Sequence, residues 1–172
     1  MSRSRNRTLE LPPVDETADD PIGLVEEYAI DQDWSSDRPY DNELWMEIPS
    51  QWGGHRLWVA YHDDTQLLQF NCYLTLKIPD RNLSPVATAM AMINERVWLG
   101  HFEVWMEELT PVFRVVLPLR GSSLTSEQLE DVMTSIFQES DRFYPVFQWV
   151  IWGGKSPAEA VAAAVVETDG EA

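Results

Sequence analysis

The stretch Ile93-Asn94-Glu95-Arg96-Val97-Trp98-Leu99-Gly100-His101-Phe102 constrains this chain most, because a helical stripe runs into it and an aromatic, strand-forming pattern leaves it. Ser84-Pro85 supplies a cap and a first-turn proline, after which Val86, Met90, Ile93 and Val97 recur at helical spacing. Gly100 lets the backbone leave the helix, and Phe102, Val104 and Met106 alternate beyond it. A helix that passes directly into a strand covers the sheet which that strand joins, so helices layered on a sheet are expected. Asn94, just before the turn, is placed to tie down the loop backbone by hydrogen bonds rather than to bind a ligand.

Three further runs alternate with period two: Leu44, Met46, Ile48; Leu57, Val59, Tyr61; and Leu68, Phe70, Cys72, Leu74, Leu76, Ile78. Gly53-Gly54 and His62-Asp63-Asp64-Thr65 suit tight links between them, giving an antiparallel meander. After Thr110-Pro111, read as a turn, Phe113, Val115, Leu117 and Leu119 form a fifth strand. Asp20-Pro21 opens a first helix carrying Ile22, Val25, Tyr28 and Ala29 up to about Asp31. A capping box of Thr125 and Gln128 starts a long helix whose face runs from Leu129 through Ile136, Phe143 and Phe147 to Ile151. Pro145 removes one donor and crowds the carbonyl of Asp141, but the stripe keeps its phase across it, so a bend is expected there and not a break. Gly153-Gly154 ends this helix, and a second box, Ser156 with Glu159, begins a last one through about Val166. The predicted fold is α+β: a single five-stranded antiparallel sheet packed against helices, in the order α-β-β-β-α-β-β-α-α. One domain spans residues 21–166, between polar tails at 1–20 and 167–172 whose composition predicts disorder.

With 12 basic against 29 acidic residues among 172, the net charge of −17 repels phosphate backbones, so no nucleic-acid partner is expected. Arg3, Arg5 and Arg7 look like a basic arm, yet Glu10, Asp15, Glu16, Asp19 and Asp20 outnumber them in the same segment. A lone cysteine, Cys72, cannot form an internal disulfide, and on a core-facing register it reads as an inert buried thiol. The N-terminus lacks a secretory h-region and no run of about 18 apolar residues appears, which predicts a cytoplasmic protein with no membrane partner.

Reaction chemistry is hard to assemble. His55, His62 and His101 are the only histidines; none has metal-ligand spacing, and they read as solvated loop residues. No GxSxG, Walker or GxGxxG pattern is present, and the pairs Glu26-Glu27, Glu107-Glu108 and Glu130-Asp131 are sequence neighbours whose side chains point apart. No catalytic residue, metal or cofactor is therefore assigned.

Strand alternation instead places Trp45, Trp58, Tyr73 and Trp105 on the sheet face away from the core, among Glu47, Gln69, Glu103, Glu107 and Arg114. Such a face normally turns polar where it meets water, so something should cover these rings. Three covers are open: the chain's own first helix, tail or long helix; a second copy in a homodimer; or a protein or peptide partner docked on an aromatic platform with an acidic rim.

The spacing of Asn94, Trp98, Gly100 and Phe102, the Phe143-Tyr144-Pro145 element and the ending Trp152-Gly153-Gly154-Lys155-Ser156-Pro157 resemble the YbjN-domain family, bacterial proteins labelled sensory transduction regulators. The resemblance covers roughly residues 21 to 165. It implies a fold similar to type III secretion chaperones, small acidic proteins, often dimeric, that hold partner polypeptides without covalent chemistry. The family has no agreed catalytic residues to carry over. Together these readings predict a non-enzymatic cytoplasmic adaptor, chaperone-like or regulatory, that binds other proteins through Trp45, Trp58, Tyr73 and Trp105 and can form a homodimer. The alternative is a small-molecule sensor or cryptic enzyme using a pocket between the sheet and the bent helix, with Tyr144 and Trp98 at its mouth.

Overall fold

In the computed structural model the helix-to-strand joint is built around one asparagine and one glycine. The structure describes residues 20–169, with side chains up to Val165. Helix α1 (Pro21–Asp31) precedes strands β1 (Ser36–Tyr40), β2 (Glu43–Ile48), β3 (His55–His62) and β4 (Leu67–Tyr73). Helix α2 (Leu83–Asn94), strands β5 (His101–Trp105) and β6 (Thr110–Pro118), and helices α3 (Ser126–Ile151) and α4 (Pro157–Asp169) follow. Between α2 and β5, Asn94 Nδ2 donates to the Phe102 carbonyl at 3.0 Å and its Oδ1 accepts from the Phe102 N–H at 2.8 Å, so one side chain imitates a pairing strand. Gly100 has φ +90°, and a Cβ there would lie 2.6 Å from the Arg114 carbonyl oxygen. Glycine is thus required both by the left-handed backbone and by the space.

The sheet has six strands, not the five expected, in the order β1-β2-β3-β4-β6-β5, with every neighbouring pair antiparallel. The additional strand is β1, Ser36-Asp37-Arg38-Pro39-Tyr40, which has no apolar alternation and is largely exposed. It is an edge strand whose register shifts between Asp37 and Tyr40, across Pro39, and edges and irregularities are where a sheet tolerates proline. Its anchor is Arg38, paired with Asp20 at 2.9 Å and with Glu26 of α1 at 3.0 Å.

Other departures are local. The run from Leu68 to Ile78 leaves the ladder after Tyr73, and the N–H groups of Leu74 and Ile78 bond to the carbonyls of Pro111 and Leu109. Leu74, Leu76 and Ile78 are nonetheless buried, so the alternation reports burial and not pairing. The β5–β6 turn falls at 106–109, so Met106 is out of the strand and exposed while Thr110 and Pro111 begin β6. Helix α2 starts at Leu83 after a short turn of tighter helix at Asp80–Asn82, and Asn82 rather than Ser84 precedes it. It ends at Asn94, which leaves Val97 beyond it.

All four helices bury their stripes in one core with the inward strand residues, among them Leu44, Leu57, Phe70, Cys72, Phe102, Phe113 and Val115. Both capping boxes form: Thr125 with Gln128 opens α3, and Ser156 with Glu159 opens α4. Pro145 lies inside an unbroken α3. The expected tails fall outside the described residues, except Asp20 at the head of α1 and the last turn of α4, which runs to Asp169.

Candidate docking face on the outer side of the sheet

Register places the four predicted aromatics in three adjoining rows. Trp45 faces Trp58 across β2 and β3, and Trp58 faces Asn71, which faces Arg114. In the next row Glu47 opposes Arg56, and Arg56 opposes Tyr73. Trp105 enters from β5, opposite Thr110. All four aromatics are half-buried.

The rings touch in a chain: Trp58 to Trp45 at 6.3 Å, Trp45 to Tyr73 at 5.7 Å and Tyr73 to Trp105 at 6.1 Å between centroids. Trp45, Tyr73 and Trp105 line one open concavity of about 620 Å³, walled by Gly53 and Gly54 on one side and by Lys77 and Glu107 on the other. Trp58 does not line it; its indole donates to Glu43 at 3.2 Å behind Trp45. Among the described residues no helix residue lines the concavity, and the helices pack on the opposite face, so α1 and α3 do not cover these rings. The N-terminal tail, the third internal cover, lies outside the described residues.

Polar side chains are tied to one another across this outer face. Asn71, fully buried, accepts from Gln69 at 3.1 Å and from Arg114 Nε at 3.2 Å, and Arg114 pairs with Glu103 at 2.6 Å. The Arg56 guanidinium lies 4.5 Å from the centroid of Trp45, over its ring, while reaching Glu47 at 3.8 Å. Lys77 pairs with Glu108 at 3.0 Å, and Glu107 has no ion-pair partner among the described residues. Burial raises the Tyr73 phenol above its ordinary value, so it stays a neutral hydroxyl at physiological pH.

The predicted pocket between the sheet and α3 has a different content. Tyr144 is buried and donates to the Thr75 carbonyl at 3.0 Å, whereas Trp98 is fully exposed at the α2–β5 turn. Phe102, Phe113, Phe143 and Phe147 fill the space where sheet meets helix, with centroids 4.8 to 6.0 Å apart. Tyr144 and Trp98 therefore form no common mouth.

A clamp that the sequence reading missed sits beside that packing. The β2–β3 hairpin lays Trp52 flat on Tyr144, 5.5 Å apart and 11° between planes, and the Trp52 indole donates to the Asp141 carbonyl at 3.0 Å. This is the carbonyl that Pro145 leaves without its helical donor. Ser50 adds a 2.6 Å hydrogen bond to the Asp141 carboxylate. Beneath lies His55, read as loop-solvated but in fact the first residue of β3 and 2% exposed. Burial lowers its pKa from the ordinary 6.5, against the opposing pull of Asp141. Cys72 is buried as expected, bonded to Ser140 at 3.6 Å, and burial pushes its thiol up to about 12. No three His, Cys, Asp or Glu side chains among the described residues gather as a metal site, and no helix there is long and apolar enough to cross a membrane.

A one-sheet α+β domain with its helices on one side and an open aromatic groove on the other defines the class. The sequence belongs to the YbjN family, described as "putative bacterial sensory transduction regulator", which it matches over residues 21–149. Among solved structures it is similar to the crystal structure of YbjN from E. coli, described as "a putative transcription regulator". That similarity has 13% identity and a TM-score of 0.49, over 76% of this chain and 88% of that one. A search of curated proteins finds no match.

Proposed function

We propose that this chain is a regulatory adaptor that works by gripping a protein partner in the groove of Trp45, Tyr73 and Trp105, without covalent chemistry of its own. The observation that carries this reading is a contiguous three-ring groove on a sheet face where no helix packs. Tryptophan and tyrosine offer wide apolar area with a polar tip and lose little side-chain freedom on binding, which is why they dominate interface anchors. The regulatory description of the family agrees with an adaptor role, and the adaptor would hold its partner in a chaperone-like way. The single, buried cysteine accords with a cytoplasmic setting.

The test begins with affinity capture and identification of a partner, followed by titration of that purified partner against Trp45→Ala, Trp105→Ala and the double variant. Each single change should weaken binding by about 1 to 2 kcal/mol, roughly 5- to 30-fold, with the melting temperature nearly unchanged. Full affinity in a folded double variant would rule the groove out. Light scattering of the unbound chain reports whether a second copy uses the same face.

A further inference from the structure

The outer groove already holds a cation of its own: the Arg56 guanidinium lies over the Trp45 ring at 4.5 Å. The face of an aromatic ring attracts guanidinium groups, arginine most of all. Three rings stand in line here, their centroids 5.7 and 6.1 Å apart, with Trp105 turned edge-on to Tyr73. The two basic residues of the groove are already engaged, Arg56 with Glu47 and Lys77 with Glu108, while Glu107 stays unpaired among the described residues. A neighbouring concavity of about 380 Å³ shares Trp45, Glu47 and Arg56 and continues to Asp37 on β1, bringing a further carboxylate. The trough thus runs from the β1 edge of the sheet to β5.

The N-terminus of the same chain supplies a matching segment. Arg3, Arg5 and Arg7 alternate with Ser4 and Asn6. In an extended bound form, alternate residues share one face about 6.6 to 6.8 Å apart, close to the spacing of the rings. The segment is rooted where the trough begins, because Asp20 is held by Arg38 of β1 at 2.9 Å. Thirteen residue-to-residue steps join Arg7 to Asp20, a reach of about 43 Å when extended, against about 24 Å for the width of six strands. Length therefore permits the segment to round the β1 edge and lie along the whole groove.

We propose that Arg3-Ser4-Arg5-Asn6-Arg7 of this same chain is the resident occupant of the outer groove, its guanidinium groups stacked on Trp45, Tyr73 and Trp105 until a partner displaces it. The proposal rests on the docking role given above and adds its regulation: a partner must outcompete a tethered arginine segment, whose high effective concentration makes it a strong competitor.

The experiment uses the 172-residue chain and its R3A/R5A/R7A variant, whose changes lie outside the described residues. In ¹⁵N spectra the indole N–H signals of Trp45 and Trp105, assigned with Trp45→Phe and Trp105→Phe, should move in the triple variant while that of Trp98 stays. Wild type in about 1 M salt should approach the variant's positions, because screening weakens exposed charge contacts. A labelled peptide of residues 1–9 should bind the triple variant at least tenfold more tightly than wild type, where the tethered copy competes. Adding Trp105→Ala to the triple variant should abolish that binding, and adding Glu107→Gln should weaken it severalfold. Unmoved Trp45 and Trp105 signals, or equal peptide affinity for both proteins, would overturn the proposal. A dimer that the triple substitution dissolves would overturn it in favour of a second copy's segment. If the triple variant binds the identified partner but not the peptide, only this inference falls; if it binds neither, the docking role falls with it.

Discussion

The two faces of this sheet carry two aromatic clusters built from different residues. On the inner face Phe102, Phe113, Phe143 and Phe147 are at most 2% exposed and meet at tilted and edge-to-face angles. On the outer face Trp45, Trp58, Tyr73 and Trp105 are half-buried, and indole and phenol groups border carboxylates and an arginine. Phenylalanine suits the first place because no polar atom has to be satisfied there. Tryptophan and tyrosine suit the second because one edge must meet water or a ligand. The inner cluster holds the fold together, and the outer one is the surface proposed for recognition.

That contrast breaks most sharply under truncation. Phe143→Ala should cost about 3 to 5 kcal/mol in denaturant unfolding, the range for emptying a buried phenylalanine site. Gly100→Ala should cost about 2 kcal/mol, since it combines a left-handed φ with a Cβ driven against the Arg114 carbonyl and the Phe113 ring. Because Gly100 aims the strand that sends Phe102 inward and Trp105 outward, this variant should impair stability and partner binding together, as neither cluster's truncation does. A smaller effect is pH-dependent and belongs to the inner face. With the folded pKa of His55 lowered by burial, the unfolded chain binds the proton more readily. Stability should be full above the ordinary value of 6.5 and decline as pH falls below it. Equilibrium unfolding between pH 7.5 and 5 should show this slope, and His55→Phe should flatten it. Least of all, Trp105→Ala should change unfolding free energy by under about 1 kcal/mol while weakening partner binding by roughly 5- to 30-fold. A large loss of stability there would make the outer rings ordinary packing.

Local rules made much of the fold legible. The two capping boxes, the role of Asn94, the turn at Gly100 and the burial of Cys72 each depend on residues close in sequence or on simple alternation, and each is found. Strand β1 escaped because an exposed edge has no apolar face to alternate, and its proline argues against a strand. The segment from Leu74 to Ile78 misled in the opposite sense, since burial has the same period as pairing. The outer face was legible as a list of residues; that three of them enclose one groove, with Trp58 behind, depends on strand stagger and rotamers. The clamp of Trp52 on Asp141 joins residues 89 apart in the chain, and only the idle carbonyl implied by Pro145 hinted that a donor was wanted.

The position of Trp52 has a geometric consequence. Its indole is fastened to the second half of α3 on one side of the molecule, and the residues that follow it, Gly53 and Gly54, form a wall of the groove on the other. The front and back of the domain thus meet around its rim through adjoining peptide units.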